Sequence, residues 1–243
     1  CQVEAVDLGI LNYPGNPGVR NCRIANGTAD ITQKPAMTKA ELYRCIETGI
    51  GLAKCAKEDG VKLLVTGEMG IGNTTTSAAM AAALLSVPPE IVAGRGAGLS
   101  DEGLVRKRQV ISEALEKYQL RETEPMRILC SVGGLDIAGL CGVFLGGAKY
   151  HMPIVADGVI SAVAALTAER LCPGTKEFII PSHKGKEPAS ELLMRELGLY
   201  DLTPALCRLD YTMSEAGGVT NFVRQYTLAS GGPYCDCGYK KKG

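Results

Sequence analysis

The fold is decided by residues 61–85, which read VKLLVTGEMGIGNTTTSAAMAAALL. The apolar run 61–65 predicts a buried strand, and the alanine-rich run 77–85 predicts a buried helix. Between them lies a glycine-rich turn, residues 67–72, where the lack of side chains lets the backbone approach a ligand closely. This strand, turn and helix together are typical of an α/β protein with a ligand at the end of a strand.

The turn offers the groups that hold a phosphate. The start of the following helix presents unpaired N–H donors and the positive end of its dipole, and Thr74 and Thr75 add hydroxyls. No Lys-Ser or Lys-Thr pair follows Gly72, and the spacing differs from that of the dinucleotide fingerprint. A mononucleotide is therefore the favoured ligand. Glu68 is the anomaly, because a carboxylate beside a phosphate is repelled unless it has another task.

Strands and helices alternate along the chain on both sides of this stretch. The apolar runs predict strands at 3–8, 62–65, 127–131, 153–156 and 177–180. Helical periodicity predicts helices at 39–58, 75–86, 101–118, 135–149, 158–171 and 188–197. Capping signals at Thr38 with Glu41, and at Ser100, mark two of the helix starts. We expect a doubly wound, mostly parallel sheet with helices on both faces.

Glycine or polar residues follow each predicted strand, and the carboxyl ends of parallel strands share one edge of a sheet. These strand-end motifs are Asp7-Leu8-Gly9, residues 67–70, Ser131-Val132-Gly133-Gly134, Asp157-Gly158 and Ser182-His183-Lys184. Any one of them is explained by a turn, but their recurrence predicts a ligand rim.

A second glycine-rich segment, residues 94–98, precedes the helix that carries Arg106, Lys107 and Arg108. Such a loop can approach a ligand closely, and one of these cations could neutralise a phosphate. The alternative is a solvated basic face of that helix.

Composition narrows the class of partner. Twenty-six basic and twenty-six acidic residues leave no net charge, which argues against nucleic acid or an anionic membrane as partner. The apolar run 78–85 is far shorter than the roughly 20 residues that span a bilayer. Ten cysteines scattered through predicted core segments indicate reduced thiols and a cytoplasmic protein. Two histidines without metal-ligand spacing predict no metal site, and the start at Cys1 suggests an incomplete chain.

Six ordered motifs together resemble the nicotinate-nucleotide:dimethylbenzimidazole phosphoribosyltransferase family. They are residues 27–30 with 35–38, residues 67–75, residues 94–99, residues 132–139, residues 156–158, and Ser182-His183 with Glu187-Pro188. The resemblance implies transfer of the phosphoribosyl group of nicotinate mononucleotide to dimethylbenzimidazole or a related aromatic base. The products would be α-ribazole phosphate and nicotinate, in cobalamin biosynthesis. It also implies a homodimer, no cofactor, no metal, and a small helical domain that is incomplete in this chain.

The resemblance and the strand-end motifs together give a set of nucleotide-binding candidates. They are Glu68, Gly70, Ile71, Gly72, Asn73, Thr74, Gly96, Gly98, Lys107, Asp157 and Ser182. The family's general base is a glutamate in a late Gly-Glu-Gly-Thr-Gly segment. An alignment without gaps puts Tyr211 there, with Asp210 before it, whereas a short gap brings in Glu215, which we take as the catalytic candidate.

Two units are expected. Residues 1–208 would form the α/β nucleotide-binding catalytic domain, and residues 209–243 would form a divergent C-terminal segment. Because the segment around Glu215 departs from the family pattern, a binding-only homologue that lacks turnover is the alternative.

Overall fold

Short strands and longer helices alternate along the chain. The computed structural model describes residues 2–121, 123–183, 185, 187–203, 220–223 and 238–241. Its strands are β1 (Ala5–Asp7), β2 (Val19–Asn21), β3 (Leu64–Thr66), β4 (Ile154–Ala156), β5 (Ile179–Pro181), β6 (Thr220–Val223) and β7 (Gly238–Lys241). Its helices are α1 (Lys39–Glu58), α2 (Thr74–Leu85), α3 (Pro89–Val92), α4 (Asp101–Tyr118), α5 (Pro125–Val132), α6 (Leu135–Tyr150), α7 (Gly158–Leu171) and α8 (Pro188–Leu197).

Strands β3, β4 and β5 form a three-stranded parallel sheet in that order. Thr66 pairs with Ala156, and Ala156 pairs with Pro181, so the three strands end at the same level. Parallel neighbours require crossover connections, and α2 to α6 and then α7 supply them. Helices cover both faces of this sheet. The predicted α/β class with parallel strands is confirmed. Outside this sheet, β1 and β2 form a parallel pair, and β6 and β7 an antiparallel pair.

Two alanine-rich helices form much of the core. Residues 77–84 of α2 and residues 160–168 of α7 are all buried. A helix that is apolar on every side needs neighbours all round, and small side chains let those neighbours approach closely. The buried α2 therefore holds its N-terminus, where the glycine-rich turn ends, in a fixed position.

Helices α1 and α6 pack backbone against backbone. A Cβ atom added at Gly49 would lie 2.0 Å from the carbonyl oxygen of Gly139, and one at Gly142 would lie 2.1 Å from that of Ile46. Only glycine fits at these two positions. The contact fixes the start of α6 relative to α1.

Local signals set several helix boundaries as predicted. The Thr38 side chain accepts a hydrogen bond from the Glu41 N–H, and the Glu41 carboxylate accepts one from the Thr38 N–H at 2.7 Å, which completes the capping box of α1. Ser100 caps α4 by accepting from Gly103 N at 3.1 Å.

One predicted strand is wrong: residues 127–131 belong to helix α5. Pro125 occupies its first turn, where the missing N–H costs nothing, and Ile128, Leu129 and Val132 face the core at helical spacing. A short apolar run fits either structure, and the prediction took the wrong one. Ser131 to Gly134 therefore joins two helices and does not follow a strand. The short elements β2 and α3 were not predicted.

Candidate active site

The carboxyl ends of β3, β4 and β5 bring three of the predicted motifs to one edge of the sheet. Gly67, Asp157 and Ser182 each come directly after the last residue of a strand, and those last residues pair in register. Ser182 N also donates to Ala156 O at 3.1 Å, which extends the ladder by one bond. Three of the five strand-end motifs predicted from the sequence therefore share this edge, whereas the Asp7 motif lies at the end of β1 of a separate pair and residues 131–134 join α5 to α6.

The turn after β3 needs glycine for its backbone conformation. Gly70 and Gly72 have φ values of 75° and 79°, and no atom lies within 4 Å of a Cβ added at either. The Glu68 carboxylate accepts a hydrogen bond from Gly70 N at 2.6 Å, so it braces the turn. Ile71 is 75% exposed. The turn leaves open space around its glycines, which a ligand could fill.

Asn73 and Asp136 tie the start of α2 to the start of α6. Asn73 is buried, and its side-chain N–H donates to Asp136 Oδ2 at 2.6 Å, while its Oδ1 has no hydrogen-bond partner. Burial raises the pKa of the Asp136 carboxyl above its usual range, and the charge of Glu68 acts in the same direction. Sequence reasoning missed Asp136, although it lies within one of the quoted motifs.

Lys107 is a buried cation beside the first turn of α2. Only 5% of the residue is exposed, and its ammonium donates to Thr74 Oγ1 at 3.2 Å and to Gly94 O at 3.0 Å. Burial lowers the pKa of Lys107, and the charge of Glu187 opposes that shift. Arg106 is exposed, and Arg108 donates to Glu90 O at 3.4 Å. Of these three basic residues, Lys107 is therefore the one directed to the start of α2.

The loop 94–98 packs against the same turn of α2. A Cβ added at Gly96 would lie 2.7 Å from Thr74 Oγ1, and Gly96 N donates to Glu187 Oε1 at 3.2 Å. Gly96 and Gly98 both have positive φ values, 54° and 109°. Sequence reasoning quoted Glu187 within a motif but gave it no role. Its contact with Gly96 spans 91 positions, which no local pattern shows.

Asp157 and Ser182 form a second polar group at the sheet edge. Ser182 Oγ donates to Asp157 Oδ1 at 2.7 Å, and His183 Nδ1 lies 3.2 Å from the same oxygen. The hydrogen bond from His183, followed in size by that from Ser182, holds the pKa of the Asp157 carboxyl below its usual range. An ionised carboxylate therefore sits at the end of β4.

Six of the predicted binding residues fall into two contact groups, and Glu68, Gly70, Ile71, Gly72 and Gly98 lie in the glycine-rich loops beside them. The first group links Asn73 to Asp136, and Thr74 to both Gly96 and Lys107. The second is the pair Asp157 and Ser182. The catalytic candidate Glu215, and the alternative Asp210, lie outside the described residues. Within the described ranges no cluster of His, Cys, Asp and Glu could hold a metal ion, and no helix is long and apolar enough to cross a membrane.

Comparisons with known proteins extend over most of the chain. A phosphoribosyltransferase family model matches residues 1–222. The nicotinate-nucleotide–dimethylbenzimidazole phosphoribosyltransferase of Ruminiclostridium cellulolyticum is 42% identical over 218 residues, which are 90% of this chain and 61% of that protein. That of Halalkalibacterium halodurans is 44% identical over 218 residues, 90% of this chain and 60% of that protein.

A solved structure supports the same relationship. The crystal structure of CobT from Thermus thermophilus matches with a TM-score of 0.77 and 38% identity, and the match covers 82% of this chain and 60% of that one. The chain thus spans about three fifths of the length of the relatives it matches. On these matches the chain belongs to the nicotinate-nucleotide:dimethylbenzimidazole phosphoribosyltransferase family.

Proposed function

We propose that this protein transfers the phosphoribosyl group of nicotinate mononucleotide to dimethylbenzimidazole or a related aromatic base. The products are α-ribazole phosphate and nicotinate, in cobalamin biosynthesis. The observation that carries the proposal is the family match over residues 1–222, within which the buried Lys107 and the start of α2 form a cationic cradle. Because the chain spans only part of its relatives, the activity belongs to the protein as a whole.

The reaction exchanges one bond at the anomeric carbon for another. The bond from C1′ to the pyridine nitrogen breaks, and nicotinate leaves with the electron pair. The unprotonated ring nitrogen of the benzimidazole attacks C1′ from the opposite face, and the proton on its other ring nitrogen passes to a general base. Catalysis of this kind consists of positioning plus one proton transfer. Glu215 is the proposed base, with Asp210 as the alternative.

The phosphate is assigned to the first contact group. The Lys107 ammonium and the N–H groups at the start of α2 supply positive charge, and Gly96 and Gly98 let the 94–98 loop approach the ligand. Gly70, Ile71, Gly72, Asn73 and Thr74 complete this part of the proposed nucleotide site.

The carboxylates are assigned to the sugar and the base. Glu68 and Asp157 would be repelled by the phosphate, so we place both at the ribose or nicotinate end of the nucleotide, with Ser182 beside Asp157. Sugar hydroxyls are donors that an ionised carboxylate accepts strongly.

The proposal extends to the organisation of the protein. Residues 1–208 act as the catalytic domain, residues 209–243 form a divergent segment, and the protein is a cytoplasmic homodimer. The exposed apolar side chains of Val65 on β3 and of Leu63 beside it support a partner surface along β3, which is an outer strand of its sheet. Sedimentation velocity at increasing protein concentration tests the dimer, and a monomer at all concentrations would contradict it.

Product formation tests the proposed reaction. The protein is prepared at the length of its relatives and incubated with nicotinate mononucleotide and dimethylbenzimidazole, and the products are separated by chromatography. We expect nicotinate and α-ribazole phosphate in equal amounts. Absence of both products from a folded, full-length protein would refute the proposed function.

A binding-only homologue is the second candidate, because the segment around Glu215 departs from the family's Gly-Glu-Gly-Thr-Gly pattern. In that case nicotinate mononucleotide binds without turnover, and Glu215→Gln changes neither property. Loss of turnover with retained nucleotide binding in Glu215→Gln would reject this candidate.

A further inference from the structure

Glu187 stands at the start of α8, yet its side chain does not cap that helix. Serine, threonine, asparagine and aspartate are the side chains that ordinarily cap a helix, and the longer glutamate is free to reach another element. Here Glu187 Oε1 accepts from Gly96 N at 3.2 Å, on a loop 91 positions away. The carboxylate therefore joins the start of α8 to a loop that is distant in the sequence.

Two glycines of the 94–98 loop have no room for a side chain at this contact. A Cβ added at Gly94 would lie 2.1 Å from Glu187 Oε2, and one added at Gly96 would lie 2.7 Å from Thr74 Oγ1. The loop is thus held between the Glu187 carboxylate on one side and the first turn of α2 on the other. Any side chain at Gly94 would displace the carboxylate.

The same loop carries an acceptor for Lys107. The Lys107 ammonium donates to Gly94 O and to Thr74 Oγ1, so the position of the cation depends on where the loop lies. Glu187 also raises the pKa of Lys107 against the lowering effect of burial. A buried cation needs such compensation to stay charged.

We propose that Glu187 is a positioning residue for nucleotide binding, which fixes the 94–98 loop against α2 and keeps the Lys107 ammonium in place for the phosphate. The inference rests on the proposed function. It adds a residue outside the nucleotide-binding set, one that acts through Gly96 and Lys107 without touching the ligand.

The first test needs no ligand. Glu187→Gln keeps a carbonyl acceptor for Gly96 N–H and removes the charge, whereas Glu187→Ala removes both. Glu191→Gln, one turn further along α8, is the matched control because its carboxylate pairs with Arg195. Amide hydrogen exchange at Gly96 and NMR titration of the Lys107 ammonium are the two readouts.

We expect the Lys107 pKa to fall in both Glu187 variants and to stay unchanged in Glu191→Gln. Gly96 exchange should accelerate in Glu187→Ala and stay near the parent rate in Glu187→Gln. Circular dichroism and the unfolding midpoint of each variant establish that the fold is retained. If Glu187→Ala leaves both the Gly96 exchange rate and the Lys107 titration at their parent values, the inference is overturned.

The second test is calorimetry with nicotinate mononucleotide. Glu187→Ala should bind about ten-fold more weakly than the parent, the size expected for losing a hydrogen bond to a charged group. Glu187→Gln should bind like the parent at neutral pH. As the pH is raised, its affinity should fall at a lower pH than that of the parent, because its Lys107 has the lower pKa. Equal affinities of Glu187→Ala and the parent would contradict the positioning role.

The two proposals fail differently. If the parent protein does not bind nicotinate mononucleotide, the proposed function fails, and the role of Glu187 is then decided by Gly96 exchange and the Lys107 titration alone. If the parent binds and Glu187→Ala weakens binding no more than Glu191→Gln does, the inference about Glu187 fails while the proposed function stands.

Discussion

Lys107 is buried between the start of α2 and the 94–98 loop, whereas its neighbour Arg106 is exposed. The adjacent glycine-rich segment and cations suggested a phosphate contact, and the family resemblance singled out Lys107, but the local pattern alone did not choose among the three basic residues. The structure distinguishes them, because Lys107 is buried on the face of α4 that meets α2, whereas Arg106 is exposed and Arg108 contacts Glu90 O. The choice therefore depends on how α4 packs, which is a tertiary property.

Replacing Lys107 should impair nucleotide binding. Lys107→Met keeps the apolar stem and removes the ammonium, so we expect the dissociation constant of nicotinate mononucleotide to rise about 10- to 100-fold, as for loss of a charge-assisted hydrogen bond. Arg106→Met is the control, and its effect should stay within about two-fold because an exposed charge is screened. Calorimetry measures both. Similar losses in the two variants would contradict the assignment of the phosphate to Lys107.

The buried Asp136 carboxyl should make the free energy of unfolding depend on pH. Because burial raises its pKa in the folded state, the native protein binds more protons than the unfolded chain between the unfolded and folded pKa values. Its contribution is thus fully present below the unfolded pKa and is lost as pH rises through the folded pKa. Asp136→Asn removes this titration and keeps an acceptor for the Asn73 amide.

We therefore expect Asp136→Asn to be more stable than the parent near neutral pH. The difference should shrink as pH falls from the folded pKa of Asp136 to its unfolded pKa, and should stay constant below that. Urea unfolding at several pH values measures the free energy of unfolding of both proteins. A difference that does not depend on pH would show that Asp136 does not titrate as its burial implies.

At the level of elements, the helices with strong local signals were predicted closely. The predicted ranges 39–58, 101–118, 158–171 and 188–197 match the helices observed. Capping residues and helical periodicity lie within one segment, so a single sequence shows them. Helix α5 was mistaken for a strand because its apolar run is short, and β2 was missed because two of its three residues, Arg20 and Asn21, are polar and exposed.

The hydrogen bonds between elements could not be predicted from local sequence patterns. Asn73 meets Asp136 over 63 positions, and Gly96 meets Glu187 over 91. The motifs named the segments that take part, but the pairing arises only when parallel strands and their crossover helices come together. The candidate site was therefore predicted as a set of segments, and its hydrogen-bond network was not.

The packing of α1 on α6 gives a prediction at this scale. Gly49→Ala forces a methyl group against the Gly139 carbonyl, so we expect the free energy of unfolding to fall by at least about 1–3 kcal/mol. Gly51→Ala, on the same helix with no atom within 4 Å of its added Cβ, should instead gain roughly 0.5–1 kcal/mol. Urea unfolding compares the two. A Gly49→Ala protein as stable as Gly51→Ala would contradict the close approach of the two helices.

For the molecule as a whole, the described residues place a carboxylate group at the ends of β4 and β5 and a cationic contact group at the start of α2, the helix that follows β3. The family match and the solved relatives agree with this architecture over 82% of the chain. The match covers 61% of the R. cellulolyticum relative and 60% of the H. halodurans relative. The acceptor base and the general base are therefore to be identified with the full-length protein. The proposed nucleotide cradle is made of described residues of this chain, so nucleotide binding can be measured on this chain alone.

The most direct measurement compares nicotinate mononucleotide with nicotinate riboside, which lacks the phosphate, by calorimetry on the parent protein and on Lys107→Met. We predict that the parent binds the mononucleotide at least about ten-fold more tightly than the riboside, through charge-assisted bonds at the start of α2. This preference should largely disappear in Lys107→Met. Equal affinities of the parent for the two ligands, or an undiminished preference in Lys107→Met, would contradict a phosphate cradle at this site.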